Sequence, residues 1–251
     1  MFKKWLLIFT ISVPAWGYNL TPDFVNGFYW AQLPVSFIIS ESDPGRKSEL
    51  TNLAQDAIGE WERDTGLSIW DLTGSGTANI IRWSTNFAAE TRMDATSVLA
   101  VAIRYTSGPY FAKTEIIING NHNSFNTGNP SINKMNLGTT LVHELGHTLG
   151  LDHSNNLMAV MAPRLQYPYG GLHNDDLYGM ADAHAQTQHR QVTRYVSPLA
   201  YSGETESKQP LSCGTTGPAG MVTTGNGFVS LALGMLIGFV RKIGSWFKSR
   251  F

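Results

Sequence analysis

Leu50, Leu53, Ala54, Ala57, Ile58 and Trp61 recur at intervals of three and four, a period that lays them on one face of an amphipathic helix. Asp43-Pro44-Gly45 marks a turn before that helix, and Gly66 stops it. Two short β-rich runs, Val35–Ser40 (VSFIIS) and Ile80–Ser84 (IIRWS), read as strands on either side. A third begins at Val98-Leu99-Ala100-Val101-Ala102, and the next strand lies in the following segment IRYTSGPYFAKTEIIING. Leu141, Val142, Leu145 and Leu149 give the buried side of a second helix over 137–149, with Asn136 as its expected N-cap. Before the first strand, 18–30 has no clear period and carries Pro22, Gly27 and five aromatics, which suits an arm wrapped around a domain.

Chemistry concentrates on the second helix, in HELGHTLGLDH from His143 to His153. His143 and His147 stand four apart, so both imidazoles project from one helix face. Glu144, beside the first, can reach a water held between the rings. Gly150 permits a positive-φ exit from the helix without a Cβ penalty, and that turn can bring His153 round as a third nitrogen ligand. Three neutral imidazoles with a fourth position open to water is the pattern of a catalytic zinc, because a structural zinc would be closed by a fourth protein ligand. Five fixed residues at these spacings arise by chance on the order of once in several million start positions.

This element resembles the long zinc signature of the metzincin metalloproteases, HExxHxxGxxH, at every fixed position. Ser154 after the third histidine is similar to the matrixin branch, the matrix metalloproteases and their bacterial relatives. Downstream, AVMAP resembles the matrixin Met-turn, with Met161 followed by Pro163. Met158 is the rival for that role, but no proline trails it. The resemblance implies an α+β zincin fold: a twisted mixed sheet, an active-site helix, a Met-turn and a C-terminal helix, in one catalytic domain. It implies a zinc-dependent endopeptidase in which His143, His147 and His153 hold one zinc, Glu144 is the general base, and Met161 floors the histidines. It also implies a substrate edge at Leu99 and Ala100, since the matrixins carry a similar VLAxA strand above the zinc. An ordinary core strand is the plainer alternative there. The segment Arg164–Gly171 resembles the loop that shapes the pocket after the scissile bond, and Pro163-Arg164-Leu165 stands where the animal enzymes have Pro-x-Tyr. LHNDDLYGMADAH is similar to the family's last helix, and Asp175 and Asp176 match carboxylates that brace the Met-turn. Two histidines that hold a structural zinc in the animal enzymes correspond to Val101 and Ile117, which cannot ligate metal. A calcium ion is allowed in the Asn119–Asn126 loop, but the carboxylates a hard cation prefers are absent from it. His122 in that loop, and His173, His184 and His189, read as surface residues.

The 251 residues can bury one substantial core with tails to spare. A formal net charge of -1 gives no electrostatic case for nucleic acid. The expected partner is a polypeptide substrate, and the expected state a monomer. The single Cys213 excludes an intramolecular disulfide framework, and no cysteine precedes the domain to act as a propeptide switch. Residues 1–17 read as a signal peptide: Lys3 and Lys4, an apolar WLLIFTISV, then Ala15-Trp16-Gly17. The domain then covers 18–190, and the Ser/Thr/Gly/Pro-rich stretch 191–227 is expected to be a flexible linker. The last segment, 228–251, joins an apolar run to Arg241, Lys242, Lys248 and Arg250, which suits a membrane anchor or sorting segment with a basic end. The expected location is therefore outside the cytoplasm, tethered or secreted after tail processing. Two other readings stay open: a processing metallopeptidase of narrow specificity, and an inactive metzincin-like binding module.

Overall fold

A computed structural model of the chain describes residues 17–73, 76–164, 169–201 and 208–214. In chain order the elements are β1 (Asn19–Leu20), α1 (Pro22–Val25), β2 (Tyr29–Trp30), β3 (Val35–Ile39), α2 (Pro44–Thr65), β4 (Trp70–Leu72) and β5 (Ile80–Ser84). There follow α3 (Phe87–Thr91), β6 (Val98–Ser107), β7 (Tyr110–Asn119), α4 (Pro130–Leu149), β8 (Leu151–Asp152), α5 (Asn174–Thr193) and β9 (Lys208–Gly214). The main sheet has the order β4-β3-β5-β7-β6-β9, with β2 paired to β7 as well. Strands β4, β3, β5 and β7 are parallel, whereas β6 runs antiparallel to both β7 and β9. The sheet is therefore mixed, as the α+β expectation requires.

Helix α2 starts where a turn was expected, because Asp43 caps it by accepting from the Arg46 N–H at 2.8 Å and Pro44 occupies the first position. It ends at Gly66, in the left-handed region at φ 70°. All six apolar residues of its periodic stripe are buried. Helix α4 begins seven residues before the expected position. Asn129, not Asn136, is its N-cap, with its Oδ1 accepting from the backbone of Ser131 and Ile132, and Pro130 follows. Asn136 is instead buried inside the helix, donating to the Ser124 carbonyl at 2.7 Å.

The core forms between the sheet and helices α2 and α4. Leu50, Leu53, Trp61, Leu141, Leu145 and Leu149 from the helices meet Phe37, Ile81, Leu99, Ile116 and Ile118 from the strands. Val101 pairs with Ile117, and both pack with Phe87 and Ile103 in a smaller apolar cluster on the other side of the sheet. His122 is buried, not a surface residue: its Nδ1 accepts from Ser124 N–H and its Nε2 faces the Thr96 carbonyl at 3.1 Å. His173 is the N-cap of α5 and forms a reciprocal capping box with Asp176.

Ordered structure continues into the segment read as a linker. Helix α5 reaches Thr193, and the Tyr195 carbonyl accepts from Tyr29 Oη at 3.0 Å. Ser197 Oγ donates to the Asn26 carbonyl, and β9 lies on β6. Composition gave no sign of this, because these segments gain their order from contacts with the distant N-terminal arm and sheet. The signal-peptide reading falls on residues 1–16, outside the described residues, and on Gly17. Gly17 donates from its N–H to Asp175 Oδ1 at 2.7 Å. The anchor segment 228–251 also lies outside the described residues. Among the described residues, no helix is long and apolar enough to cross a membrane.

Candidate active site

Helix α4 is held along its buried side by three tryptophan indoles. Trp61 donates to the Val142 carbonyl at 2.9 Å, Trp30 to the Thr148 carbonyl at 2.8 Å, and Trp70 to Thr148 Oγ1 at 2.8 Å. Each brings a large apolar body into the core and satisfies its one donor on the helix. The positions of His143 and His147 are thus fixed by core packing rather than by helix propensity.

The helix ends at Gly150, where φ is 126°, and a Cβ there would sit 2.5 Å from the Phe24 ring. Only glycine fits that close approach. The chain then turns back through β8, which pairs with β1 in the register Leu20–Leu151 and Asn19–Asp152. Thr21 N–H donates to the Gly150 carbonyl at 2.8 Å, and Asn19 Nδ2 to the His153 carbonyl at 2.8 Å. The N-terminal arm therefore staples the turn that carries His153.

Through this turn the three imidazoles converge. Their candidate ligand atoms all lie within 4.8 Å of one another, and the ring centroids are 4.6, 4.9 and 5.3 Å apart. His143 Nδ1 is 2.7 Å from the Val160 carbonyl and His147 Nδ1 is 2.8 Å from the Leu151 carbonyl. A carbonyl can only accept, so each Nδ1 carries the proton and each Nε2 presents a lone pair. Those Nε2 atoms are buried without a hydrogen-bond partner. Burial, reinforced by the charge of His153, pushes His143 down to about 3. His147 is also held well below the usual histidine range, first by burial and then by its two histidine neighbours. Neutral imidazoles with oriented Nδ1 protons and converging lone pairs form a donor set that fits a zinc ion with an open fourth position. Glu144 is fully buried on the same helix, one residue from His143.

Met161 lies under the helix. A Cβ on Gly146 would be 2.5 Å from its sulfur, so the glycine makes room for the thioether. Asp176 fixes this turn, accepting from the backbone N–H groups of Val160, Met161 and His173 at 2.8–3.0 Å. Its carboxyl is raised by burial, against the lowering effect of those three donors. Asp175 accepts from Ser154 Oγ at 2.5 Å, and Ser154 N–H donates to the Met161 carbonyl at 2.7 Å. The two aspartates thus meet the Met-turn and the segment after the third histidine. Pro163 is exposed at the end of that turn. Leu99 and Ala100 are buried in β6, and Leu165 lies outside the described residues.

A polar group near the helix was not found from the sequence. Arg104, in the middle of β6, is fully buried and grips Asp23 of the N-terminal arm bidentately, at 2.6 and 2.9 Å. Its Nη1 donates to the His147 carbonyl. The available signal was one cation inside the apolar run VLAVAIRY, which equally suits a strand position facing water.

Comparison with known proteins agrees with this geometry. A 56-residue stretch is 50% identical to matrix metalloproteinase-16 of Rattus norvegicus, Homo sapiens and Mus musculus. It covers 21% of this chain and 9% of the length of each relative. The matrixin family model matches residues 29–185, a span holding the sheet up to β7, all three histidines, the Met-turn and most of α5. With that match over more than half of its length, the chain belongs to the matrixin family.

Proposed function

We propose that the chain is a zinc-dependent endopeptidase acting outside the cytoplasm. The observation that carries this reading is the convergence of three imidazoles, those of His143 and His147 fully buried and that of His153 half-buried, beside Glu144 on one helix and its exit turn. His143, His147 and His153 would hold a single zinc. When bound there, zinc supplies Lewis acidity, which lowers the pKa of water and polarises a carbonyl. Glu144 accepts the proton of the attacking water and delivers it to the departing amine, so the carboxylate ends the cycle as it began. The peptide bond is cleaved without a covalent enzyme intermediate. Met161 provides an apolar support that keeps the imidazoles from tilting. Leu99 and Ala100 place the substrate backbone, and Leu165 contributes to the side-chain pocket.

The test is hydrolysis of a mixed peptide library by the full chain, before and after zinc removal by a chelator. Activity is expected to vanish with the metal and return on adding one zinc equivalent per chain. Undiminished cleavage by the metal-free protein would rule the reading out.

Export and tethering belong to the same proposal, resting on Lys3, Lys4 and the apolar run after them, and on the apolar run that ends at Arg241 and Lys242. Stopping transfer there is favoured because carrying each of those cations through hydrocarbon costs about 2.5–3.5 kcal/mol. Fractionation of expressing cells should place the full chain with membranes, facing outward to added protease. Recovery of untrimmed chain in the soluble fraction would exclude a tether.

A further inference from the structure

Strand β6 does not present a bare edge. One side pairs with β7, and the other with β9, antiparallel, in the register Ala100–Cys213, Val101–Ser212, Ala102–Leu211 and Ile103–Pro210. The N–H and C=O groups on that outer side are the ones an extended peptide would use to add itself as a strand. They cannot bond β9 and a substrate at once. This edge also adjoins the metal helix. Arg104 of β6 donates to the carbonyl of His147, and both β6 and β9 pack next to α4.

We propose that Lys208–Gly214 is the resident occupant of the outer edge of β6, where Leu99 and Ala100 would place a substrate, and acts as a strand in cis that the substrate must displace. The proposal rests on the peptidase reading given above. Several features suit an exchangeable occupant rather than a permanent member of the sheet. Among the described residues β9 is paired on one side only, whereas β7 is paired on both. Pro210 lies within it, and a proline has no N–H to give to a ladder. The pairing also shifts register between Val98 and Ala100. Attachment to the same chain keeps this imperfect strand at an effective concentration on the order of millimolar, enough to hold the edge against dilute peptides.

A seated strand that leaves a tenth of the molecules open raises the apparent KM about tenfold and leaves kcat unchanged, because saturating substrate displaces it. The experiment uses the full, zinc-loaded chain in three forms: the parent, the double variant Leu211→Pro/Ser212→Pro, and Cys213→Ser. In an antiparallel ladder successive residues face toward and away from the partner, so one of two adjacent prolines must remove a bond. The double variant is expected to cleave a peptide library with a KM about tenfold lower at unchanged kcat. Amides of Val98–Tyr105 that face β9 are expected to exchange about tenfold faster in the double variant than in the parent, while those that face β7 stay slow in both. Cys213→Ser keeps every backbone group and should match the parent in both measurements.

Equal KM in parent and double variant would overturn the proposal. So would unprotected exchange of the β9-facing amides of β6 in the parent, which does not depend on any variant folding. A gain in Cys213→Ser equal to that of the proline pair would also overturn it, by placing the restraint in the thiol rather than the strand. Absence of hydrolysis in all three forms with zinc bound would count against the peptidase reading instead. Amide exchange would then decide the occupancy by itself.

Discussion

Replacing Glu144 by alanine should leave zinc bound and lower peptide hydrolysis by at least about 10²–10⁴-fold, the usual contribution of a positioned acid–base group. The metal is expected to stay because its three nitrogen ligands are fixed independently of the carboxylate. His143 and His147 are oriented by the carbonyls of Val160 and Leu151, and His153 by the stapled turn. The proton transfer has no ready substitute. Asp176 is committed to three backbone donors, and Asp175 to Ser154 and Gly17. Glu144→Gln keeps the shape and should fall as far, which would separate loss of the base from loss of packing. Zinc analysis alongside kinetics checks both halves. Full activity in either variant would assign the base elsewhere. A parent chain as inactive as its Glu144 variants, with zinc bound, would favour the binding-module alternative.

Much of this site was legible because its chemistry is local. The four-residue spacing of His143 and His147 fixes one helix face, and Gly150 fixes where the chain can turn, so one helix and one turn bring the three candidate ligands together. The periodic stripe of α2 was legible for the same reason, since a 3.6-residue repeat reports its own buried face. The parts that were missed depend on partners far along the chain. Asn136 has a capping residue's chemistry, but its amide is taken by Ser124, and Asn129-Pro130 supplies the actual start of α4. KQPLSCG has a proline and no alternation of apolar and polar positions, so β9 exists only because β6 offers a complementary edge. His122 reads as a loop histidine until Thr96 and Ser124 are brought against it. Arg104 shows most clearly how far a partner can lie from its residue, since Asp23 stands 81 positions away.

The pair Asp23–Arg104 is therefore where a single substitution away from the reacting groups should cost most. Both side chains are buried, at 5% and 0% exposure, so neither charge has water as an alternative partner. Removing one member of such a pair costs about 3–5 kcal/mol, because the survivor is left charged and desolvated. In Asp23→Ala, Arg104 would keep the His147 carbonyl and the face of Phe111, 5.1 Å away, but no counter-charge. The expected fall in Tm is roughly 10 °C, taking about 2–4 °C per kcal/mol for a domain of this size. Replacing both residues together, Asp23→Leu with Arg104→Met, should recover most of that loss, since two apolar groups leave no orphaned charge. The recovery would not extend to the site. Arg104 ties the arm, β6 and the end of helix α4 to one guanidinium, and a methionine cannot donate to the His147 carbonyl. The double variant should accordingly melt near the parent yet hold zinc more weakly in competition with a chelator. Thermal unfolding of the full chain and its two variants, with zinc competition on each, measures both quantities. An Asp23→Ala melt within a degree or so of the parent would show that the buried pair does not tie the arm to the helix.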